Sequence, residues 1–257
     1  PHLGSDEATE IQSLFRDGLS VHQSGDLDAA EKTYCQVLQR DANHAGAWHF
    51  LGIVHLARGE RIAAREHIER ALSLCDTKAV YWNNYGAVLK ESGQLREAEA
   101  ALHRALDLRR DYADAWTNLG HVQQSLRLTP KQVERSYRNA LKLAPKHVDA
   151  TFHLADFYQS TGRHPEAAEL YRRGLELSPE QPRGTERLVD ALLSAKMWRD
   201  AEQLLRHAID RDSDNPQYHF AMARAQAGLE DFDGAKQAYR RIISLGVRSP
   251  IWKWKHL

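Results

Sequence analysis

Cysteine is scarce. The 257 residues contain two, Cys35 and Cys75, and no C-x-x-C pair, so the spacing offers neither a disulfide framework nor a thiolate metal site. Both fall in apolar-periodic stretches and read as small buried hydrophobes, which points to a reducing compartment and a cytoplasmic location. An excess of one charge is also missing. With 35 Lys+Arg against 35 Asp+Glu, the chain lacks the positive field that phosphate-backbone binding needs, so no nucleic-acid partner is expected. No apolar run reaches the ~18–20 residues that cross a bilayer, which removes a membrane span, and no secretory signal pattern occurs. Eight Pro and 15 Gly are few enough to keep loops short. The 14 histidines form no H-E-x-x-H and no zinc-spaced Cys/His cluster. There is no G-x-x-x-x-G-K-[ST], no G-x-G-x-x-G and no G-x-S-x-G. The expectation is no metal, no cofactor and no enzyme.

What the chain does have is a period. Trp48, Trp82 and Trp116 are 34 residues apart, as are Gly18, Gly52, Gly86 and Gly120. A fixed spacing of this size marks stacked supersecondary units rather than one closed core. Seven units follow: 11–44, 45–78, 79–112, 113–147, 148–181, 182–215 and 216–249. Each has two stretches whose apolar residues recur at three and four, so each predicts a helical hairpin with one buried stripe. Gly or Ala at the eighth position and Ala at the twentieth let the two helices approach closely. Trp at the fourth fills space against the neighbouring unit. The fourth unit carries an extra residue beside Thr129-Pro130-x-Gln132, which reads as a capping box opening its second helix. Residues 1–10, beginning Pro1-His2-Leu3-Gly4-Ser5, read as a tag-like or disordered leader. Ser249-Pro250 opens a partial eighth helix over 250–257, with Trp252 and Trp254.

The pattern Trp-x2-Leu-Gly-x2-Tyr … Ala-x3-Tyr … Pro, matched by Trp116-Thr-Asn-Leu119-Gly120 and by Ala167-x3-Tyr171, resembles the tetratricopeptide repeat family over residues 11–249. The resemblance implies an all-α, right-handed superhelical solenoid of seven helix-turn-helix repeats plus the partial eighth helix. It also implies that the first helix of each unit lines a concave groove, with the second, fifth and ninth positions exposed. The fifth-position row reads Phe15, His49, Asn83, Thr117, Phe152, Glu186, Phe220, and the ninth reads Leu19, Ile53, Ala87, His121, Asp156, Asp190, Arg224. Units one to three then form a neutral, partly apolar groove. Units four to six form an acidic one through Asp114, Asp149, Asp156, Glu186 and Asp190, relieved by Arg183 and Arg187. The two-carboxylate clamp found in some members of the family has no match, because Phe15 and Leu19 stand where Lys and Asn are required. The sixth-position asparagine ladder of O-linked N-acetylglucosamine transferase arrays is matched by Asn84 and Asn118 but not by Arg16, Phe50, His153, Arg187 or Ala221.

The expected function is a non-catalytic scaffold for protein or peptide partners. An extended segment would have its backbone amides bonded by Asn83, Asn84, Asn118 and Gln124. His49 and His121 also line the groove, and specificity would come from Phe152, Asp156, Glu186 and Asp190. Two other readings stand beside it. One is a recruiting array of a larger glycosyltransferase (O-GlcNAc transferase-like) or sulfotransferase, suggested by Tyr81-Trp82-Asn83-Asn84-Tyr85-Gly86 and the unfinished eighth unit. The other is an oligomeric platform that self-associates through Trp252 and Trp254.

Overall fold

The structure, a computed structural model, describes residues 5–246. The eighth-helix segment with Trp252 and Trp254 lies outside the described residues. Fourteen helices and no strand occur among those described. They are α1 (Ser5–Gln23), α2 (Leu27–Arg40), α3 (Ala45–Ala57), α4 (Arg61–Leu74), α5 (Ala79–Glu91), α6 (Leu95–Leu108), α7 (Ala113–Ser125), α8 (Pro130–Leu143), α9 (Val148–Ser160), α10 (His164–Leu177), α11 (Gly184–Ser194), α12 (Trp198–Arg211), α13 (Pro216–Gly228) and α14 (Phe232–Ser244). Consecutive odd and even helices pair as hairpins. Two compact units result, Pro1–Pro145 with α1–α8 and Lys146–Leu257 with α9–α14.

The 34-residue register sets the helix starts. α3, α5, α7, α9 and α13 begin on the first residue of their units. α11 begins two residues late because Arg183 takes a left-handed φ of 56°. α1 is a correction to the sequence reading. It begins at Ser5, so most of the supposed leader is helical, and Glu10 reaches Arg40 of α2 at 3.2 Å.

Each odd helix ends the same way. The fifteenth residue of every unit has positive φ: Gly25 (87°), Gly59 (78°), Gly93 (77°), Arg127 (54°), Gly162 (79°), Lys196 (58°) and Glu230 (63°). From the second repeat to the seventh the next N–H bonds back five residues, as in Glu60 to the His55 carbonyl and Met197 to the Leu192 carbonyl, both 2.9 Å. This left-handed cap satisfies the orphan carbonyls of the helix end. A side chain there costs roughly 1–2 kcal/mol, partly offset by the larger unfolded-state entropy of glycine. Lys196→Gly should therefore stabilise the second unit by about 0.5–1 kcal/mol, seen as a raised denaturant midpoint.

Packing between helices follows the small residues. A Cβ added at Gly18, Gly52, Gly86 or Gly120 would lie 2.6–2.8 Å from Tyr34, Ile68, Leu102 or Tyr137 of the paired even helix. The twentieth-position residues Ala30, Ala64, Ala98, Ala167 and Ala201 are completely buried. The tryptophans do more than fill space. The indole N–H groups of Trp48, Trp82 and Trp116 donate to the carbonyls of Ala42, Asp76 and Arg110, at 2.9, 2.7 and 3.0 Å. Each ring therefore ties down the turn that leads into its own helix. The seventh unit has no Trp at this position, and His219 takes over. Its Nε2 lies 2.7 Å from the Ser213 carbonyl, the same six residues back.

Within the first compact unit, core clusters join each hairpin to its successor, as where Ala98, Leu102 and Ala105 of α6 meet Ala115, Leu119 and Val122 of α7. No hairpin seals its own apolar stripe, so stability is a sum of neighbour contacts. Odd helices also touch directly, α3 with α5, α5 with α7 and α11 with α13. That second seam decides what their outward faces can present.

Candidate functional site

In the first unit this seam changes the fifth-position row. His49, Asn83 and Thr117 are buried, with His49 only 1% exposed. They were expected on an open groove floor. The Thr117 hydroxyl instead donates to the Ala113 carbonyl of its own helix at 2.9 Å, and His49 and Asn83 lie where α3, α5 and α7 approach closely. The side chains satisfy one another there. Asn118 Nδ2 donates to Asn83 Oδ1 at 2.9 Å, Asn83 Nδ2 to Asn84 Oδ1 at 3.0 Å, and Asn84 Nδ2 to His49 Nε2 at 2.9 Å. The donors all run toward α3. His49 Nε2 is thus an acceptor, and the proton of the neutral ring sits on Nδ1. The ring stacks on Tyr81, centroids 4.3 Å apart. Burial, followed by the Lys78 charge, pushes the His49 pKa down to about 4.

Asn83, Asn84 and Asn118 therefore bond each other, and two half-buried members, Asn84 and Asn118, keep unspent amide capacity. Gln124 is half-buried and accepts from the Tyr137 hydroxyl at 3.3 Å, while its neighbour Gln123 holds Ser136 at 2.8 Å. His121 is half-buried on α7. The polar row of this unit is first of all an internal strut.

The second unit brings a different subset together. Phe152, expected as a specificity contact, is buried. It packs on Gly174, where an added Cβ would meet the ring at 2.6 Å, and beside Tyr171. Here the small residue sits on the even helix and the large one on the odd, the reverse of the first unit. Asp156 is already engaged. The Tyr171 hydroxyl donates to its Oδ1 at 2.6 Å and Arg187 lies 3.5 Å from its Oδ2. Burial, then this carboxylate, raises the Tyr171 pKa. The expected acidic zone is thus neutralised in part by residues 31 positions away.

Glu186 and Asp190 do share an open cleft of about 660 Å³ between α11 and α13. Arg183, Arg224, Tyr218, Gln217 and Phe220 complete its wall, and Gln159 and Ser194 close one end. Glu186 accepts from the Tyr218 hydroxyl at 3.3 Å. The cleft walls push the Asp190 carboxyl above its ordinary value, with Arg224 and Arg183 pulling it back and Glu186 adding to the rise. Among the described residues neither Arg183 nor Arg224 is held in an ion pair. The sequence reading missed Gln159, Ser194, Gln217 and Tyr218. Tyr218 had a signal, since it sits one turn from Asn215, the N-cap that opens α13.

Among the described residues no group of three His, Cys, Asp or Glu is placed to hold a metal ion. No helix among them is long and apolar enough to cross a membrane. Cys35 and Cys75 are free thiols, half-buried rather than fully buried.

Comparison with known proteins gives a consistent pattern. Two family models, each described as tetratricopeptide repeat, match residues 18–79, 86–123 and 134–182, and residues 192–253. No curated protein matches. Among solved structures, the chain is 25% identical to MamA, over 65% of this chain and 96% of that one, with a TM-score of 0.53. It is 21% identical to Pseudomonas aeruginosa PilF over 91% of this chain and 99% of that one, TM-score 0.65, a likeness of fold alone. It is 30% identical to a Thermobaculum terrenum O-GlcNAc transferase over 55% of this chain, but spans 27% of that longer chain, TM-score 0.53.

Proposed function

The chain belongs to the tetratricopeptide repeat family, and from that premise we propose that it is a non-catalytic scaffold whose second unit grips an extended segment of a partner protein. One observation carries the reading. The cleft between α11 and α13 brings together Arg183 and Arg224, neither held in an ion pair among the described residues, with Glu186 and Asp190, whereas His49, Asn83, Asn84 and Asn118 of α3, α5 and α7 are bonded to one another. Buried polar groups with settled partners hold a fold together. Exposed, convergent and unsettled ones are what a ligand can satisfy.

The chemistry of the cleft favours a segment of mixed charge. Arg183 and Arg224 present guanidinium forks suited to a carboxylate. Asp190 and Glu186 present acceptors for a basic side chain, and Phe220 gives an apolar contact. The test is a pull-down with the intact chain, mapping of the captured segment, and titration of that peptide. Arg224→Gln and Asp190→Asn should each weaken binding by about tenfold, a charge-assisted hydrogen bond's worth. Unchanged affinity in both variants would remove the cleft from the reading.

A second reading is a recruiting array of a larger transferase. The 30% identity to the Thermobaculum terrenum O-GlcNAc transferase supports it. The internal bonding of Asn84 and Asn118 weighs against an asparagine track for substrate amides. Reading the gene beyond the codon for Leu257 separates the two.

A further inference from the structure

The outer surface of the first compact unit, away from the odd helices, carries one row of a single charge sign. The outward positions of its even helices lie opposite their buried residues and recur at four, three and four. On α8 they are Lys131, Arg135, Arg138 and Lys142, all exposed, while Val133, Tyr137 and Ala140 of the opposite face are buried. The same positions read Asp28, Lys32, Cys35 and Gln39 on α2, Ile62, Glu66, Glu69 and Ser73 on α4, and Arg96, Ala100, His103 and Asp107 on α6. In this unit the unbroken cationic row belongs to α8.

The row works against the helix that bears it. Like charges at these spacings repel along a helix face, and Lys131, second in α8, faces the positive end of the helix dipole. Neighbouring even helices settle their charges in place, Arg65 with Glu69 at 2.7 Å and Arg96 with Glu99 at 3.2 Å. The one carboxylate of α8, Glu134, holds Arg138 at 2.9 Å. Among the described residues Lys131, Arg135 and Lys142 are in no ion pair. The field is also narrow. It runs about 16 Å from Lys131 to Lys142, and on the α6 side it ends, with Asp107 of α6 and then Glu66 of α4 exposed. A membrane plane or a nucleic-acid duplex would press on those carboxylates as well as on the cations. A single acidic segment laid along α8 meets the cations alone.

We propose that the outer face of α8 docks an acidic segment of a partner protein, whose carboxylates pair with Lys131, Arg135 and Lys142. Arg138, shared with Glu134, adds to the field, and Leu143, 43% exposed beside Lys142, gives an apolar contact at one end. Exposed ion pairs are individually weak and are screened by salt, so the contact is salt-sensitive and draws on all the cations together. It shares no residue with the α11–α13 cleft.

The experiment is fluorescence anisotropy of a labelled peptide titrated with the full chain at low ionic strength. The probe is a capped helical peptide with Glu at positions spaced four, three and four, and its control carries Gln there. The Glu peptide should saturate and bind at least about tenfold more tightly than the Gln peptide. Lys131→Gln, Arg135→Gln and Lys142→Gln combined should weaken the Glu peptide by about tenfold and leave the unfolding midpoint unchanged or raised. Arg224→Gln should not alter its binding. Phosphatidylserine–phosphatidylcholine vesicles and a short DNA duplex serve as competitors, and at equal charge neither should displace the peptide. Equal binding of the two peptides, an unaltered response or a lowered midpoint in the combined variant, or displacement by vesicles or duplex would overturn the proposal. Loss of binding in Arg224→Gln would also overturn it, by moving the acidic peptide to the α11–α13 cleft, whose own reading would stand.

Discussion

Replacing Gly86 by leucine is expected to destabilise α5 and α6 by about 1–2 kcal/mol, the overpacking cost of about 1–3 kcal/mol less the helix propensity regained. The geometry makes the sign firm. A Cβ at Gly86 would lie 2.7 Å from Leu102 Cγ and 3.0 Å from its Cδ2. Leu102 is completely buried, and its Cγ is a branch point rather than a mobile tip, so the side chain cannot swing aside without moving α6. The helix propensity gained on losing a glycine is below about 1 kcal/mol and does not cancel this. Because stability here is a sum of neighbour terms, the effect should be local. Hydrogen exchange should accelerate in α5 and α6 more than in α13 and α14. A double-mutant cycle gives the mechanism. Leu102→Ala alone should cost about 2–5 kcal/mol through the cavity it leaves. In the Gly86→Leu background the same truncation makes room, so its cost should fall by about 1 kcal/mol or more. Strict additivity would show that the two residues do not oppose each other.

The close approach at Gly86 was legible in the sequence, because a glycine that returns at the eighth position of successive helical units marks a place where no side chain fits. Other features were hidden for identifiable reasons. A left-handed turn residue is visible only when it is glycine. Gly25, Gly59, Gly93 and Gly162 marked the turn, while Arg127, Lys196 and Glu230 adopt the same backbone without any compositional sign. His219 replaces the Trp48, Trp82 and Trp116 clamp because one N–H aimed at one carbonyl is all the turn needs. Two unlike residues therefore do one job, and a pattern search sees only a gap. The fifth-position row was misread because periodicity tells which face a residue occupies, not how near the next helix comes. His49 and Asn83 occupy the expected face, and the adjacent odd helices cover it. The row composition named Arg187 as relieving the acidic zone but not which carboxylate it meets, because charges pair between helices: Arg187 of α11 stands 3.5 Å from Asp156 of α9.

The polar strut of the first unit makes its own demand on pH. Acidification from pH 7 to 4 is expected to remove about 3 kcal/mol of stability through His49 alone, from a downward shift of about 2.5 units at about 1.4 kcal/mol each. In the unfolded chain the imidazole titrates near its ordinary 6.5, and in the folded chain near 4. Between those values the unfolded state binds the extra proton, so stability is intact above pH 6.5, falls as pH drops through the window, and levels off below about 4. His22, His44 and His67 shift in the same direction, chiefly by burial, and steepen the slope. His49 differs from them in that its protonation also breaks a bond. A proton on Nε2 would face the Asn84 amide N–H that now donates to it. Asn84 would have to turn over, which presents the wrong group to Asn83 and passes the mismatch on to Asn118. The measurement is chemical unfolding across this pH range for the native chain and for His49→Gln, followed by the fluorescence of Trp48, Trp82 and Trp116. The variant should be weaker at pH 7 yet have a slope shallower by up to one proton. A slope as steep as that of the native chain would mean that His49 titrates freely and that the strut does not depend on its neutrality.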